Sequence, residues 1–493
     1  MKIVIKQFLS ALLFLTIIGC NRQDIVITVE FPDQPEVNTL IYSVPISGTT
    51  YLGFSDTLKR SETGKFELKM KIFQPSFVTI WDEGYSNRVK LLVEQGNIYH
   101  VSMGSEKNVQ ITGANEMGQM LYTALPDPSF VEMELRNWLR DATLSIIAVQ
   151  HQINDLKQSD ISKFKELLDE KKISKSFFDL VQRDRDCYYA SLEARFLLIK
   201  TCYEPMRQEL KIEDQSLENL TKIYDKYSPN DEKLLFSSFW SEYVGYYIND
   251  YKQFIQKDFD IQKLQKIHQD GTYNTHVINE AKKYLSGKAL EFFQARHIHF
   301  TSIQSRFEKE LISLFEQFEK NYPKSEYSKY LKPHIDKIID YYHIIEQPFD
   351  QAMLFMDNYE TINTLEEAIK SLQGKKIYID VWATWCGPCK REFEHNEALK
   401  KMLTENDIQQ LYISIDRDDY DQQWQNAIKY YNLTGVHIRA NKELYDNLMK
   451  QYDKNAKTPY ISIPWYILID ENGNIVEEHT KSPSQLVAGE KLW

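Results

Sequence analysis

The sequence predicts a multidomain protein with an N-terminal antiparallel β-sandwich, a central α-helical region and a C-terminal α/β domain. Three observations support this fold class. Apolar residues alternate with polar ones up to about residue 112, recur at helical spacing to about residue 342, and then form strand-like and helix-like segments in turn. At 493 residues the chain is too long for a single core. We therefore expect a signal segment at 1–19 and domains at 20–114, 115–345 and 346–493.

The N-terminus has the parts of an export signal. Lys2 and Lys6 supply positive charge, and the following residues to Ile18 are mostly apolar. The apolar run is too short for a stable membrane span, and its end resembles a bacterial lipobox, in which Cys20 becomes the lipidated first residue. Asn21 follows, with no Asp that would indicate inner-membrane retention. We expect a lipid anchor on Cys20 and a place in the cell envelope, on the outer membrane facing the periplasm. The alternative is an ordinary signal peptide with a chance cysteine.

Short strands are expected between residues 21 and 112. Residues 64–72 alternate throughout, with Phe66 and Leu68 on one side and charged residues on the other, as in a half-exposed strand. A turn signal at 94–97 separates two further strand-like segments. The region contains no catalytic constellation, so we expect a small sandwich.

The central region is expected to be a helical bundle that contains two cysteines. Cys187 and Cys202 lie in one long helical stretch. If that helix is continuous, their Cα atoms are about 22 Å apart, too far for a disulfide. We expect both to be small buried side chains. A turn between them would make a structural disulfide possible in an oxidising compartment.

A Cys-x-x-Cys motif joins a buried strand to a helix in the C-terminal region. The segment Trp385–Lys390 follows the apolar strand Lys376–Trp382. At a helix N-terminus, unpaired backbone N–H groups and the dipole stabilise a thiolate, which favours Cys386 as nucleophile. Cys389, one turn further, is placed to resolve a mixed disulfide. The alternative, half of a zinc site, requires a second ligand pair, and no other cysteine pair has such spacing, so no metal is predicted.

Two segments carry a family resemblance. Asp380–Lys390 resembles the active-site segment of the thioredoxin superfamily. Ile461–Val476 resembles the cis-proline loop, the next strand and the hairpin of TlpA-like and ResA-like thiol-disulfide oxidoreductases. The resemblance covers roughly the last 145 residues, about one domain. It implies a thioredoxin-like fold and disulfide exchange through Cys386 and Cys389, without a cofactor.

The resemblance also implies a role for Asp380. This residue stands where thioredoxin has a buried acid beneath the disulfide. Burial would raise its pKa, and it could then take the proton from Cys389 as that sulfur attacks. The alternative is an aspartate in solvent at a strand end. Tyr412 is expected at the position where thioredoxin has a lysine near this acid, which weakens the assignment.

A substrate surface is implied as well. Ile463–Pro464 resembles the cis-proline pair, whose free backbone groups would bind an extended substrate. A trans proline in a loop is the alternative. Trp385, Gly387 and Pro388 would form the rest of the surface, with Trp385 as a plain core residue as the alternative. Trp465 follows Pro464 and is expected to narrow the groove.

The secondary structure around the motif is expected to follow this resemblance. Residues 352–356 have helical spacing, one helix should run from Cys386 to Leu403, and an insertion at 439–453 should contain a short helix. Residues 486–493 should form the first turns of a last helix.

Charge and motifs together predict the function. A net charge of −12 and a pI near 5.5 argue against nucleic-acid binding. We expect a membrane-tethered oxidoreductase that reduces disulfides in exported proteins and receives electrons from a membrane thiol donor. The alternative is an envelope interaction lipoprotein in which the thioredoxin-like domain is auxiliary.

Overall fold

A computed structural model describes residues 24–49, 54–104, 109–128, 130–141, 143–204, 208, 214–255, 261–372, 374–454 and 458–492. The chain divides into two compact units, residues 1–338 and 339–493. The predicted signal segment and Cys20 lie outside the described residues. Within these ranges no helix is both long enough and apolar enough to cross a membrane.

Two four-stranded sheets form the N-terminal part of the first unit. The strands are β1 (Asp24–Glu30), β2 (Thr39–Ser43), β3 (Ser55–Lys59), β4 (Lys65–Lys71), β5 (Ser76–Asp82), β6 (Arg88–Val93), β7 (Ile98–Met103) and β8 (Val109–Gly113). Their orders are β4-β1-β7-β8 and β3-β2-β5-β6. The sequence predicted antiparallel pairing throughout, but β1 and β7 run parallel. This pairing joins strands that are far apart in the sequence. The alternation of apolar and polar residues within one strand does not indicate which distant strand it pairs with, or in which direction.

The two sheets share one apolar core. In β4 the alternating Phe66 and Leu68 are buried, whereas Glu67 between them and the lysines of the strand are exposed. These side chains belong to a cluster that also contains Val78 of β5 and Leu91 of β6. Period-two patterning therefore directs one face of each sheet into a common interior.

Helices follow between residues 116 and 345. They are α1 (Glu116–Thr123), α2 (Glu132–Arg140), α3 (Ile146–Asp169), α4 (Lys175–Leu197), α5 (Asp214–Lys226), α6 (Trp240–Gly245), α7 (Ile261–Gln269), α8 (Tyr273–Tyr284), α9 (Gly287–Ser302), α10 (Glu310–Asn321) and α11 (Ser328–Ile345). Helix α4 continues directly into a π-helical segment, Leu198–Tyr203. Cys187 and Cys202 lie on this continuous run, and both are buried and unbridged. Their prediction as buried free thiols is confirmed.

The second unit is built on one six-stranded sheet. Its strands are β9 (Met353–Phe355), β10 (Lys376–Trp382), β11 (Ile408–Ser414), β12 (Gly435–Arg439), β13 (Trp465–Ile469) and β14 (Ile475–Glu477), in the order β14-β13-β10-β11-β12-β9. Strands β10, β11, β12 and β9 are parallel, and β13 and β14 complete the sheet antiparallel. The helices are α12 (Leu365–Lys370), α13 (Gly387–Glu392), α14 (Asn396–Glu405), α15 (Asp421–Tyr430), α16 (Lys442–Tyr452) and α17 (Pro483–Val487).

Three local predictions for this unit were wrong. Residues 352–356 are not helical, because Met353–Phe355 forms the edge strand β9 beside β12. The helix expected from Cys386 to Leu403 is interrupted by a 3₁₀ turn at Phe393–His395. The last described helix is α17 (Pro483–Val487), which begins earlier than expected at a capping box on Ser482.

The alternation along β10 determines what lies under the Cys-x-x-Cys helix. Tyr378 packs with Leu399 of α14, and the Trp382 ring lies 5.2 Å from that of Phe393. Asp380 lies between Tyr378 and Trp382 on the same face of the strand, since side chains two apart point the same way. The carboxyl group is therefore buried between the sheet and the helices that follow the motif.

Candidate active site

A disulfide joins Cys386 and Cys389 at the first turn of α13. Its S–S distance is 2.02 Å and the two Cα atoms are 5.4 Å apart. Cys386 is the N-cap residue, and its sulfur accepts a hydrogen bond from the backbone N–H of Cys389 at 3.1 Å. Pro388 sits in the first turn, where a backbone N–H would have no helical partner. This helix end stabilises negative charge, so the geometry suits a Cys386 thiolate once the disulfide is reduced.

The two sulfurs differ in their access to solvent. Cys386 is 4% exposed, whereas Cys389 is completely buried. Around them, Trp385 is 62% exposed, and Gly387 and Pro388 are also exposed. A disulfide that approaches from solvent therefore reaches Cys386 before Cys389. It does so next to the exposed Trp385 ring and the exposed Gly387–Pro388 turn.

Asp380 is buried and lacks a hydrogen-bond partner. It is 1% exposed, and neither carboxyl oxygen is bonded within the described residues. Burial, and then the charge of Glu392, raise the pKa of Asp380 well above its usual value. The site therefore favours the protonated form of the Asp380 carboxyl group.

The neighbours of Asp380 across the sheet are aromatic. Tyr412 of β11 and Tyr466 of β13 are its register partners. The Tyr412 ring stacks on His437 at 5.0 Å between centroids, and burial lowers the pKa of His437 to about 4. His437 is therefore neutral at pH 7. Tyr412 stands beside the acid as the sequence indicated, so aromatic and neutral groups flank Asp380 across these strands.

The Ile463–Pro464 peptide bond is cis. The next residue, Trp465, pairs with Val381, so Pro464 lies level with the end of β10, where the segment toward Cys386 begins. Trp465 is only 3% exposed, and its ring packs 5.2 Å from that of Tyr452. The expectation that Trp465 narrows an open groove was wrong, because its side chain points into the core.

A buried carboxylate at the end of β11 was missed from the sequence. Asp416 is 2% exposed, and its carboxylate accepts hydrogen bonds from the backbone N–H and the hydroxyl of Thr384 at 2.8 and 2.7 Å. It also accepts one from the Ser414 hydroxyl at 2.8 Å. The available signal was a Ser-x-Asp after a buried strand, but nothing local connects it to a threonine 32 residues earlier.

Glu392 was also missed. At the end of α13, its carboxylate accepts hydrogen bonds from the Ser484 N–H at 2.9 Å and the Ser484 hydroxyl at 3.0 Å. Because Ser484 lies in the first turn of α17, this contact joins the Cys-x-x-Cys helix to the last described helix. After burial, the charge of Glu392 also raises the pKa of Asp380. In the part of the chain that the structure describes, no cluster of three or more metal-ligating side chains occurs.

Comparisons with known proteins agree with this geometry. The Redoxin family profile matches residues 363–488. Over 111 residues the chain is 29% identical to thiol-disulfide oxidoreductase ResA of Bacillus thuringiensis subsp. konkukian, covering 22% of this chain and 57% of that protein. ResA of Halalkalibacterium halodurans is 30% identical over 112 residues, with coverages of 23% and 57%. The chain thus spans little more than half the length of these curated relatives.

A solved structure is similar as well. The solution structure of a candidate thiol-disulfide oxidoreductase from Bacteroides vulgatus has 31% identity and a TM-score of 0.21, covering 25% of this chain and 75% of that one. By family match and site, residues 363–488 are a thiol-disulfide oxidoreductase-like domain with a Cys386–Cys389 pair. This domain belongs to the thioredoxin superfamily, in its TlpA-like and ResA-like group. The predictions of the superfamily and of the enzyme class are confirmed for this part of the chain.

Proposed function

We propose that the protein is an envelope thiol-disulfide oxidoreductase that reduces disulfides in exported proteins. The observation that carries the proposal is the position of Cys386. It caps α13, is bonded to a fully buried Cys389, and is the more exposed residue of the pair. Such a pair can exist as a dithiol or as a disulfide, which is what exchange with a substrate requires.

The reaction runs in two exchanges. The Cys386 thiolate attacks a substrate disulfide, which forms a mixed disulfide and releases one substrate thiolate. The ionised form of Asp380 then takes the proton of Cys389, which attacks the Cys386 sulfur, closes the Cys386–Cys389 disulfide and releases the second substrate thiolate. The substrate gains two electrons and, from water and the enzyme, two protons. A dithiol donor at the membrane then reduces the enzyme pair.

Residues on both sides of Cys386 bind the substrate in this proposal. Trp385, Gly387 and Pro388 form the exposed surface beside the sulfur. The backbone of Ile463, before Pro464, pairs with an extended substrate segment. The Gly-Pro dipeptide between the cysteines is the same as in thioredoxin. The reduction potential of thioredoxin is about −270 mV, whereas that of the oxidant DsbA is about −120 mV. This supports the reductive direction.

The N-terminal signal supports a membrane location. Lipidation of Cys20 tethers the mature chain to the outer membrane, facing the periplasm, in this proposal. In this proposal residues 20–114 and 115–345 are two further domains in addition to the redox domain at 346–493. Those two regions also support a second candidate, in which the protein binds an envelope partner and the redox pair is auxiliary.

Insulin reduction by the chain from residue 21 onward separates the two functions. We expect catalysed precipitation of the insulin B chain in the presence of a dithiol, and its loss in Cys386→Ser. Cys187→Ser is the matched control, because it removes a buried thiol in the other unit. If the unsubstituted protein gives no more turnover than Cys386→Ser, the oxidoreductase proposal fails and the binding function is favoured.

A further inference from the structure

The segment between β10 and α13 is attached to the sheet by a side-chain cluster. It comprises Ala383, Thr384 and Trp385, and it connects a buried strand directly to the N-cap Cys386. Both Thr384 donors bind the Asp416 carboxylate, one oxygen accepting the N–H and the other the hydroxyl. The contact is therefore bidentate and fixes the orientation of the residue as well as its position.

The acceptor side of this contact is itself held rigidly. The Ser414 hydroxyl donates to the Asp416 carboxylate at 2.8 Å and accepts from the Asp416 N–H at 3.1 Å. Ser414 is completely buried, and the Ile415 N–H donates to the Trp382 carbonyl at 2.9 Å. The carboxylate thus has a single orientation, determined by the ends of the two central strands.

The position of Thr384 makes this contact relevant to the chemistry. It lies two residues before Cys386, whose N–H donates to the Ala383 carbonyl at 3.1 Å. Between them Trp385 is 62% exposed, so solvent surrounds most of this side chain. A thiolate at an N-cap gains from the helix only while its sulfur points at the first-turn N–H groups. The orientation of the preceding residues therefore affects both the thiol pKa and the presentation of the sulfur.

We propose that Asp416 and Thr384 are positioning residues that hold Cys386 in the geometry for disulfide exchange. The proposal rests on the proposed oxidoreductase function. Neither residue exchanges electrons or protons with the substrate. Their contribution is to keep the N-cap sulfur aligned with the helix in the reduced protein, when the disulfide no longer restrains it.

Thr384→Val and Thr384→Ser in the chain from residue 21 onward test the proposal. Valine removes the hydroxyl and keeps the shape, whereas serine keeps the hydroxyl. Thr361→Val is the matched control, because it removes an exposed hydroxyl bond elsewhere in the same unit. In the reduced protein, the rate of Cys386 alkylation is measured across pH, together with kcat and KM for insulin.

We expect Thr384→Val to raise the apparent pKa of Cys386 and to lower kcat/KM about ten-fold, a loss typical of one hydrogen bond to a charged group. Thr384→Ser should restore both, and Thr361→Val should change neither. Asp416→Asn should change both quantities in the same direction as Thr384→Val, since its amide has only one acceptor oxygen for the two Thr384 donors. Equal pKa and kcat/KM in Thr384→Val and the unsubstituted protein would overturn the proposal, as would a serine variant as impaired as the valine variant.

The alkylation measurement separates this proposal from the function on which it rests. If the unsubstituted protein does not reduce insulin, the oxidoreductase proposal fails, but the pH dependence of Cys386 alkylation still decides whether Thr384 positions the sulfur. If insulin is reduced and the Cys386 pKa is unchanged in Thr384→Val, only the positioning role is rejected. Circular dichroism of each variant shows whether a loss of activity reflects unfolding.

Discussion

Tyr466 is the cross-strand partner of Asp380, and both side chains are buried. Neither the Tyr466 hydroxyl nor the Asp380 carboxyl group has a hydrogen-bond partner within the described residues. Tyr466 packs in one cluster with Leu399 of α14 and Leu486 of α17, and Asp380, its register partner, lies on the same face of the sheet. A buried acid whose nearest cross-strand neighbours are tyrosines is arranged differently from one paired with a lysine. The following predictions begin from this difference.

Asp380→Asn should stabilise the oxidised protein while slowing turnover. The ordinary pKa of the residue is 3.8, and its pKa in the folded protein is higher. As pH rises above about 4, the unfolded chain therefore releases the proton first and the folded state loses stability. Asparagine cannot ionise, so its gain in the free energy of unfolding should be absent near pH 4 and grow as the pH rises.

Turnover of the same variant should fall about a hundred-fold, because Cys389 loses its proton acceptor. Urea unfolding at several pH values and insulin reduction check the two effects. A variant that is less stable than the unsubstituted protein at every pH, or fully active, would show that Asp380 does not have this role.

Tyr466→Phe should shift the pH dependence of kcat to higher pH. The Tyr466 hydroxyl has no hydrogen-bond partner within the described residues, so we expect it to donate to its register partner Asp380 when that group ionises. Removing the hydroxyl should then disfavour the carboxylate. Tyr378→Phe is the matched control, because the Tyr378 hydroxyl already donates to the Lys481 carbonyl at 2.7 Å. Identical pH profiles for the two variants would contradict a specific contribution from Tyr466.

Cys187 and Cys202 should remain unreactive in the native protein. Both are completely buried, and burial raises the pKa of each thiol. Alkylation of the oxidised native chain, followed by peptide mass spectrometry, should leave both unmodified, whereas alkylation in denaturant should modify both. Rapid native labelling of either would contradict the buried placement.

Lys90→Met should destabilise the first unit by about 1–3 kcal/mol. The Lys90 ammonium is nearly buried and binds Asp127 at 3.0 Å and the Ser238 hydroxyl at 2.9 Å. Burial alone would raise the pKa of Asp127, but Lys90 and then Arg88 hold it below its usual value. This stabilisation is present above about pH 4 and is lost as pH falls further.

The exposed Arg88, also bonded to Asp127, provides the control for Lys90. Arg88→Met should cost less than 1 kcal/mol, since solvent screens an exposed ion pair. Equal losses for the two variants in urea unfolding would rule out a special role for the buried lysine.

Local patterns were sufficient to predict the parts of the fold that local chemistry determines. Alternation identified β4, and the apolar run before the cysteines identified β10. The Cys-x-x-Cys spacing identified the redox pair. In each case the pattern lies within about ten residues, which is the range over which side-chain period and helix capping act.

Features that depend on distant pairing were not predictable in this way. The parallel contact of β1 with β7 and the edge strand β9 depend on partners far along the chain. Three apolar residues such as Met353–Phe355 suit a helix or a strand equally well until a neighbouring strand is available. The Thr384–Asp416 contact was missed for the same reason, since it depends on the pairing of β10 with β11.

The most direct test of the central claim is the pKa of the Cys386 thiol in reduced Cys389→Ser. It is obtained from the pH dependence of alkylation at Cys386, with the buried thiols excluded by peptide mapping. A helix-capping thiol that exchanges disulfides should have a pKa well below that of free cysteine, which is about 8.5. A value at or above that of free cysteine would contradict the claim that Cys386 is the nucleophile of an oxidoreductase.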